Sequence, residues 1–220
     1  IVKLSIIFFY FRARILKHLK TRMETKNIKV EVADPTTLGL FGLAMVTLVA
    51  SSQKMGLTEG FAFVLPWAIF LGGIAQIVAS VFDFKHNNLF GATAFAAYGL
   101  FWVAVAMSWF IKLGSFGETM ASAADVKQLG VAFIGYLFLT IVFTVSALKM
   151  SKAMFVLLLL IDLLFIGLAA DAFGLGHMWH SIAAYTELAI SLLTFYVLAA
   201  KYLNSFFGKE LLKTGKPILK

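Results

Sequence analysis

Asn88-Leu89-Phe90-Gly91-Ala92-Thr93-Ala94-Phe95-Ala96-Ala97-Tyr98-Gly99-Leu100-Phe101-Trp102 opens an apolar run that continues to about residue 111 without one charged side chain. Asn88 suits the start of a helix, because its side chain can accept a free backbone N–H there. At a rise of 1.5 Å per residue the run makes a helix of roughly 35 Å, enough to cross the ~30 Å hydrocarbon core of a bilayer.

Five further runs have comparable length: 37–53, 62–82, 129–148, 153–171 and 181–203. The expected fold class is therefore an all-α membrane protein with six transmembrane helices. Composition agrees: 61% of the 220 residues are hydrophobic and 14% are charged, with a mean hydropathy of +0.91. A water-soluble fold cannot hide so much apolar surface. The runs are rich in Gly, Ala, Ser and Thr, which let helices approach closely where lipid gives no hydrophobic drive to associate.

The breaks between runs have physical causes. Asp34-Pro35-Thr36-Thr37 is a helix-start signal, with a capping side chain and Pro in the first turn. Pro66 falls near the start of the second run, where its missing N–H costs least. Residues 112–128 form the longest polar connection, and Lys149-Met150-Ser151-Lys152 is the whole link between the fourth and fifth runs. There is no internal repeat. Three segments follow: a leader at 1–33, a six-helix transmembrane domain at 34–208, and a basic tail at 209–220.

The net charge of +8 is a topology signal rather than a nucleic-acid footprint, because the cations sit at the ends and in particular loops. With the N-terminus inside, sixteen Lys and Arg fall on the inner side, against Lys54, Lys112 and Lys127 outside. Without the first 22 residues the ratio is still ten to three. The expected location is a plasma or inner membrane, multi-pass, with both termini cytoplasmic. Residues 1–22 begin with Ile1, and Met23 precedes an ordinary polar leader. They read as a start-site extension or as a basic amphipathic segment on the inner leaflet. The chain has no Cys, which removes disulfides, thiol catalysis and Cys-ligated metals.

Polar residues inside the runs are the candidates for function. Gln76 lies in the second, Thr93 and Tyr98 in the third. In lipid such groups must face protein or a watery path. Helix–helix hydrogen bonding and a pore lined by amide and hydroxyl donors both meet that requirement.

Three stretches carry a resemblance: Asp34-Pro35-Thr36-Thr37-Leu38-Gly39-Leu40, Gly72-Gly73-Ile74-Ala75-Gln76, and Asn88-x-Phe90-Gly91-x-Thr93-Ala94-Phe95-x-x-Tyr98-Gly99-x-Phe101-Trp102. Together they resemble the acetate uptake transporter family, which includes the bacterial succinate–acetate permeases. The likeness runs from about Asp34 to Gly208. It departs from the family's Asn-Pro-Ala-Pro-Leu-Gly pattern at Asp34 and Thr37. The resemblance implies six helices bundled around a narrow central path, a homo-hexamer in the lipid bilayer, and passage of acetate and related small carboxylates, linked to protons. It also implies an apolar constriction at Leu43, Tyr98 and Ile161, with Leu43 where the family has Phe.

The chemistry suits that task. A small carboxylate needs donors for its oxygens and an apolar place for its methyl group. Gln76, Asn88 and Thr93 are the expected substrate-binding residues, with Tyr98 a further donor. None binds an anion as tightly as a fixed Arg or Lys, and passage requires weak binding. Helix N-termini near Pro35 and Asn88 add N–H groups at the mouth, and an ionised Asp34 opposes them.

Asp162 is the oddity. It stands near the middle of the fifth run, one residue beyond Ile161, where a charge is expensive and an anion path would be repelled. It reads as a proton site or as a neutral acid bonded to a neighbouring helix. Asp171 and Glu187 read as solvated rim charges or as vestibule residues. His177-x-x-His180 lies beside Gly174 and Gly176, so a loop is expected rather than a metal site. No metal, cofactor or nucleic-acid partner is expected. An intramembrane enzyme built on Asp162, Asp171, His177, His180 and Glu187 lacks any HExxH or GxSxG arrangement. The remaining alternative is a pore for another small solute, with selectivity altered by Leu43, Ile161 and Asp162.

Overall fold

The computed structural model describes Phe11, Arg12, Arg14 and residues 32–219. The chain divides into a leader, residues 1–32, and a body, Ala33–Lys220. Phe11, Arg12 and Arg14 are helical. The other residues of the expected extension at 1–22 lie outside the described residues.

Six helices of the body are long and apolar enough to cross a membrane: α1 Thr36–Lys54, α2 Val64–Lys85, α3 Leu89–Lys112, α4 Val126–Ala147, α5 Lys152–Ala172 and α6 His177–Phe207. They correspond one to one with the six runs. The largest difference is α6, which has 31 residues and extends beyond its apolar run at both ends. The polar connection after α3 contains one short helix, Glu118–Ser122. We call the end where α1 begins and α6 finishes the near face, and the opposite end the far face.

The starts are built as the side chains dictate. Asp34 Oδ1 accepts from Thr36 N at 2.9 Å, Asn88 Oδ1 from Gly91 N at 3.2 Å, and Ser151 Oγ from Met154 N at 3.2 Å. Each satisfies an N–H that a helix start leaves open. Gly208 ends α6 in the left-handed conformation, φ 62°.

Helix α1 packs on α6 and on α2, α2 on α3, α4 on α5, and α5 on α6. A β-carbon at Gly72 would stand 2.8 Å from the Trp102 ring, so this glycine is what lets α2 lie against α3. Residues Ala68–Ala75 of α2 are wound as a π-helix. Just beyond it, Gln76 Nε2 donates to Gly72 O at 2.8 Å. The core is aromatic where α3, α4 and α5 meet. Phe101 is edge-on to Phe165 at 5.3 Å, and Tyr136 stacks on Phe165 at 5.6 Å. Helix α4 is the least covered, with Val131, Ile134, Phe138, Ile141 and Val145 exposed.

The basic tail is not a free segment. Ala153 N donates to Thr214 O at 2.9 Å, and Leu148 O accepts from Ile218 N at 3.0 Å and Leu219 N at 2.8 Å. Residues 209–219 are thereby strapped across the near ends of α4 and α5.

Candidate functional site

A cavity of about 540 Å³ opens at the near face between α1, α3, α5 and α6. Its wall is graded. Asp34, Thr36, Asn88, Ser151, Lys201, Asn204 and Thr214 supply polar groups, while Leu40, Ala94, Phe95, Leu157, Leu158 and Val197 supply apolar surface.

Leu43, Tyr98 and Ile161 all line this one cavity. They lie seven, nine and nine residues into α1, α3 and α5. By helical rise that is roughly 10–14 Å from the near ends. All three are buried. Tyr98 turns its hydroxyl out of the cavity: Oη lies 2.9 Å from Thr140 Oγ1 of α4, and Thr140 Oγ1 donates to Tyr136 O at 2.8 Å. The ring is held edge-on to Phe143 at 6.0 Å and stacked with Phe165 at 6.5 Å.

The expected donors divide. Asn88 lines the cavity. Gln76 and Thr93 do not. Gln76 is fully buried against α1, where a β-carbon at Gly42 would meet its Cγ at 3.2 Å. Thr93 Oγ1 donates to Leu89 O of its own helix at 2.8 Å. The donors of both are spent on backbone carbonyls of their own helices, while the buried Gln76 Oε1 has no hydrogen-bond partner among the described residues. A sequence pattern marks a polar residue in a span without saying which face of the helix it takes.

Asp162 also lies off the cavity wall, on the α4–α5 seam. Its Oδ2 is 2.7 Å from Thr144 Oγ1, and Thr144 Oγ1 also donates to Thr140 O at 3.0 Å. Asp162 and Tyr98 are therefore linked through two threonines of α4. Asp162 Oδ1 is buried and has no hydrogen-bond partner among the described residues.

Four features at the site are absent from the sequence reading. Asp83, 1% exposed, accepts from Asn88 Nδ2 at 2.9 Å through Oδ1. Its Oδ2 stands where a β-carbon of Gly91 would be, so Gly91 is required by the buried carboxylate. Lys201 Nζ pairs with Asp34 Oδ2 at 2.9 Å across the mouth. Burial pushes the Asp34 carboxyl up, but hydrogen bonds from Thr36 and Lys201 outweigh it and hold the group below the ordinary carboxylate value. Asn204 holds the tail, accepting from Leu211 N and Leu212 N at 2.7 and 3.0 Å and donating to Leu212 O at 2.8 Å. A sequence cue existed for Asp83, five residues before the capping Asn88. The Asp34–Lys201 pair joins positions far apart along the chain, and the Asn204 bonds depend on where the chain turns after α6, so spacing shows neither.

The far face holds a correction. Glu187 is not a rim charge: it is buried and paired with Lys54 Nζ at 2.7 Å. His180 Nδ1 lies 3.0 Å from Asp171 Oδ2, and its Nε2 lies 3.2 Å from Lys54 O. Asp171 and His180 join the ends of α1, α5 and α6. Among the described residues no group of three or more His, Cys, Asp or Glu side chains could hold a metal ion.

Comparison with known proteins shows the family. Residues 17–212 match the GPR1/FUN34/yaaH family. The chain is 33% identical over 195 residues to the succinate-acetate/proton symporter SatP of Escherichia coli, covering 84% of this chain and 97% of that one. It is 31% identical over 191 residues to an uncharacterized protein of Methanothermobacter thermautotrophicus, covering 85% and 93%. A solved structure of the bacterial acetate channel SatP superposes with a TM-score of 0.79 at 28% identity, covering 84% of this chain and all of that one. The chain belongs to the GPR1/FUN34/yaaH family, and is a multi-pass membrane transport protein rather than an enzyme.

Proposed function

We propose that this protein carries acetate and related small carboxylates across the membrane, linked to protons, with the near-face cavity as the inner half of the path. The observation that carries this reading is the grading of the cavity. A small carboxylate meets polar side chains at the mouth and then an apolar end formed by Leu43, Tyr98 and Ile161. Burying one methyl group is worth only about 0.8 kcal/mol, so the solute is discriminated without being trapped. The substrates named for the similar proteins point the same way.

The near face is cytoplasmic in this reading, because it carries most of the basic residues described in the body. The functional unit is a homo-hexamer, as the family resemblance implies, and the uncovered face of α4 is available to lipid or to a neighbouring protomer. Asp162 is the proton site. Thr144 has one hydroxyl hydrogen and two acceptors in reach, Thr140 O and Asp162 Oδ2. A protonated Asp162 donates to Thr144 and leaves that hydrogen to Thr140 O. An ionised Asp162 takes it. The seam thus has two hydrogen-bonding states that differ by one proton.

Uptake of labelled acetate into proteoliposomes tests the reading. Saturable uptake absent from empty liposomes supports it, and no uptake at any pH overturns it. Leu43, where the family resemblance gives Phe, favours a second reading in which a different small solute passes. A panel of monocarboxylates and small neutral solutes in the same assay decides between the two.

A further inference from the structure

Among the described residues that line the near-face cavity, Lys201 is the one cation and Asp34 the one anion. Their side chains meet at 2.9 Å and are 43% and 49% exposed. The other Asp34 oxygen accepts from Thr36 N at 2.9 Å, so the carboxylate is aimed at Lys201 by the first turn of α1. The arrangement is an ammonium at the mouth of an apolar cavity, already holding a carboxylate. That carboxylate belongs to the protein.

We infer that Lys201 recruits the substrate carboxylate at this mouth, and that Asp34 is a tethered competitor which the substrate must displace. The inference rests on the proposed carboxylate reading and deepens it. Three arguments support it. The two anions have the same chemistry, so one ammonium serves either. A half-exposed ion pair is held weakly, which makes exchange easy. A tethered group also competes at a fixed effective concentration, commonly in the millimolar range, so it tunes affinity without closing the path. The resemblance to the acetate uptake family gives Asn at position 34, which makes the competitor a feature of this chain.

Asp34→Asn is the informative variant. Asn retains an oxygen for Thr36 N, so the start of α1 survives while the competing charge goes. With [13C]acetate as probe, binding to the purified full chain is measured by saturation-transfer NMR, and uptake is measured in proteoliposomes. Asp34→Asn should bind acetate about two- to fivefold more tightly, the range an exposed ion pair allows. The gain should shrink as salt rises. Lys201→Gln should bind more weakly than the unaltered protein, and Asp34→Asn/Lys201→Gln no better than Lys201→Gln alone. Melting curves establish that each variant is folded. Unchanged or weaker binding by folded Asp34→Asn overturns the inference, as does a gain that persists without Lys201. If binding follows this pattern and the unaltered protein takes up no acetate, the carboxylate site stands and the transport reading falls. If no form binds acetate, both fall.

Discussion

The Tyr98 hydroxyl lies 2.9 Å from Thr140 Oγ1, so the aromatic residue of the expected constriction offers the cavity its ring and keeps its polar atom for α4. This relationship separates two roles that a sequence motif merges. A Tyr in a path can donate to an anion or close an apolar ring. Here the donor is spent on a helix contact.

Tyr98→Phe should therefore preserve acetate uptake to within about threefold. It should lower stability by about 0.5–1.5 kcal/mol, the net value of one hydrogen bond. Uptake kinetics and thermal melting in detergent measure the two effects. A loss beyond tenfold in a folded Tyr98→Phe protein would return the hydroxyl to the substrate.

Asp162→Asn keeps an oxygen for Thr144 Oγ1 and removes the titratable proton. Uptake should persist and lose its dependence on pH, whereas Thr144→Val should alter that dependence while Asp162 remains. Unchanged pH dependence in Asp162→Asn would sink the relay and leave Asp162 as a seam residue.

The Asp34–Lys201 pair should behave differently. The Asp34 carboxyl is held below its ordinary value of 3.8, so the pair's contribution is complete above that value and is lost only as pH falls below it. Between about pH 5 and 8 the ratio of the acetate affinities of Asp34→Asn and the unaltered protein should therefore be constant. Binding titrations at three pH values across that range check this.

These contrasts show which parts of the molecule were legible in sequence. Run length alone gives the six helices, because a bilayer sets the length of anything that crosses it. Asn88 and Asp34 were legible as caps, since capping is a local matter of two or three residues. Gln76 and Thr93 were legible as polar and not as packed, because a span polar on one position has no periodicity to orient it. Lys201 reaches Asp34 from 167 positions away, and Glu187 reaches Lys54 from 133. Such pairs exist only once α6 is laid against α1.

The Lys54–Glu187 pair bears on stability. Glu187 is buried, so Lys54→Met strands a carboxylate with no partner. Breaking one side of a buried pair costs about 3–5 kcal/mol. The partial exposure of Lys54 places the expected loss near the low end. Lys54→Met/Glu187→Gln should recover most of it, because the stranded charge is gone. Melting temperatures of the single and double variants give the comparison, and equal losses in both would mean the pair is not coupled.

The strapped tail depends on one side chain more than on any other. Asn204 accepts from two backbone N–H groups and donates to one carbonyl of the tail, which turns the chain back toward α5 just beyond the end of α6. Tyr196 Oη adds a bond to Lys213 O at 2.7 Å. Asn204→Ala removes three hydrogen bonds at about 0.5–1.5 kcal/mol each, enough to release a segment otherwise tied by a few backbone bonds. Asn204→Asp keeps both acceptor contacts and loses the donor, so its effect should be intermediate. Trypsin reports the release directly, because Lys209 and Lys213 lie in the strap and neither is followed by proline. Hydrogen exchange at Ala153 N, whose proton goes to Thr214 O, reports it from the other side. Faster cleavage and faster exchange in the order Ala, Asp, unaltered protein are expected. Equal rates in all three would mean that the backbone bonds to Leu148 and Ala153 hold the tail without Asn204.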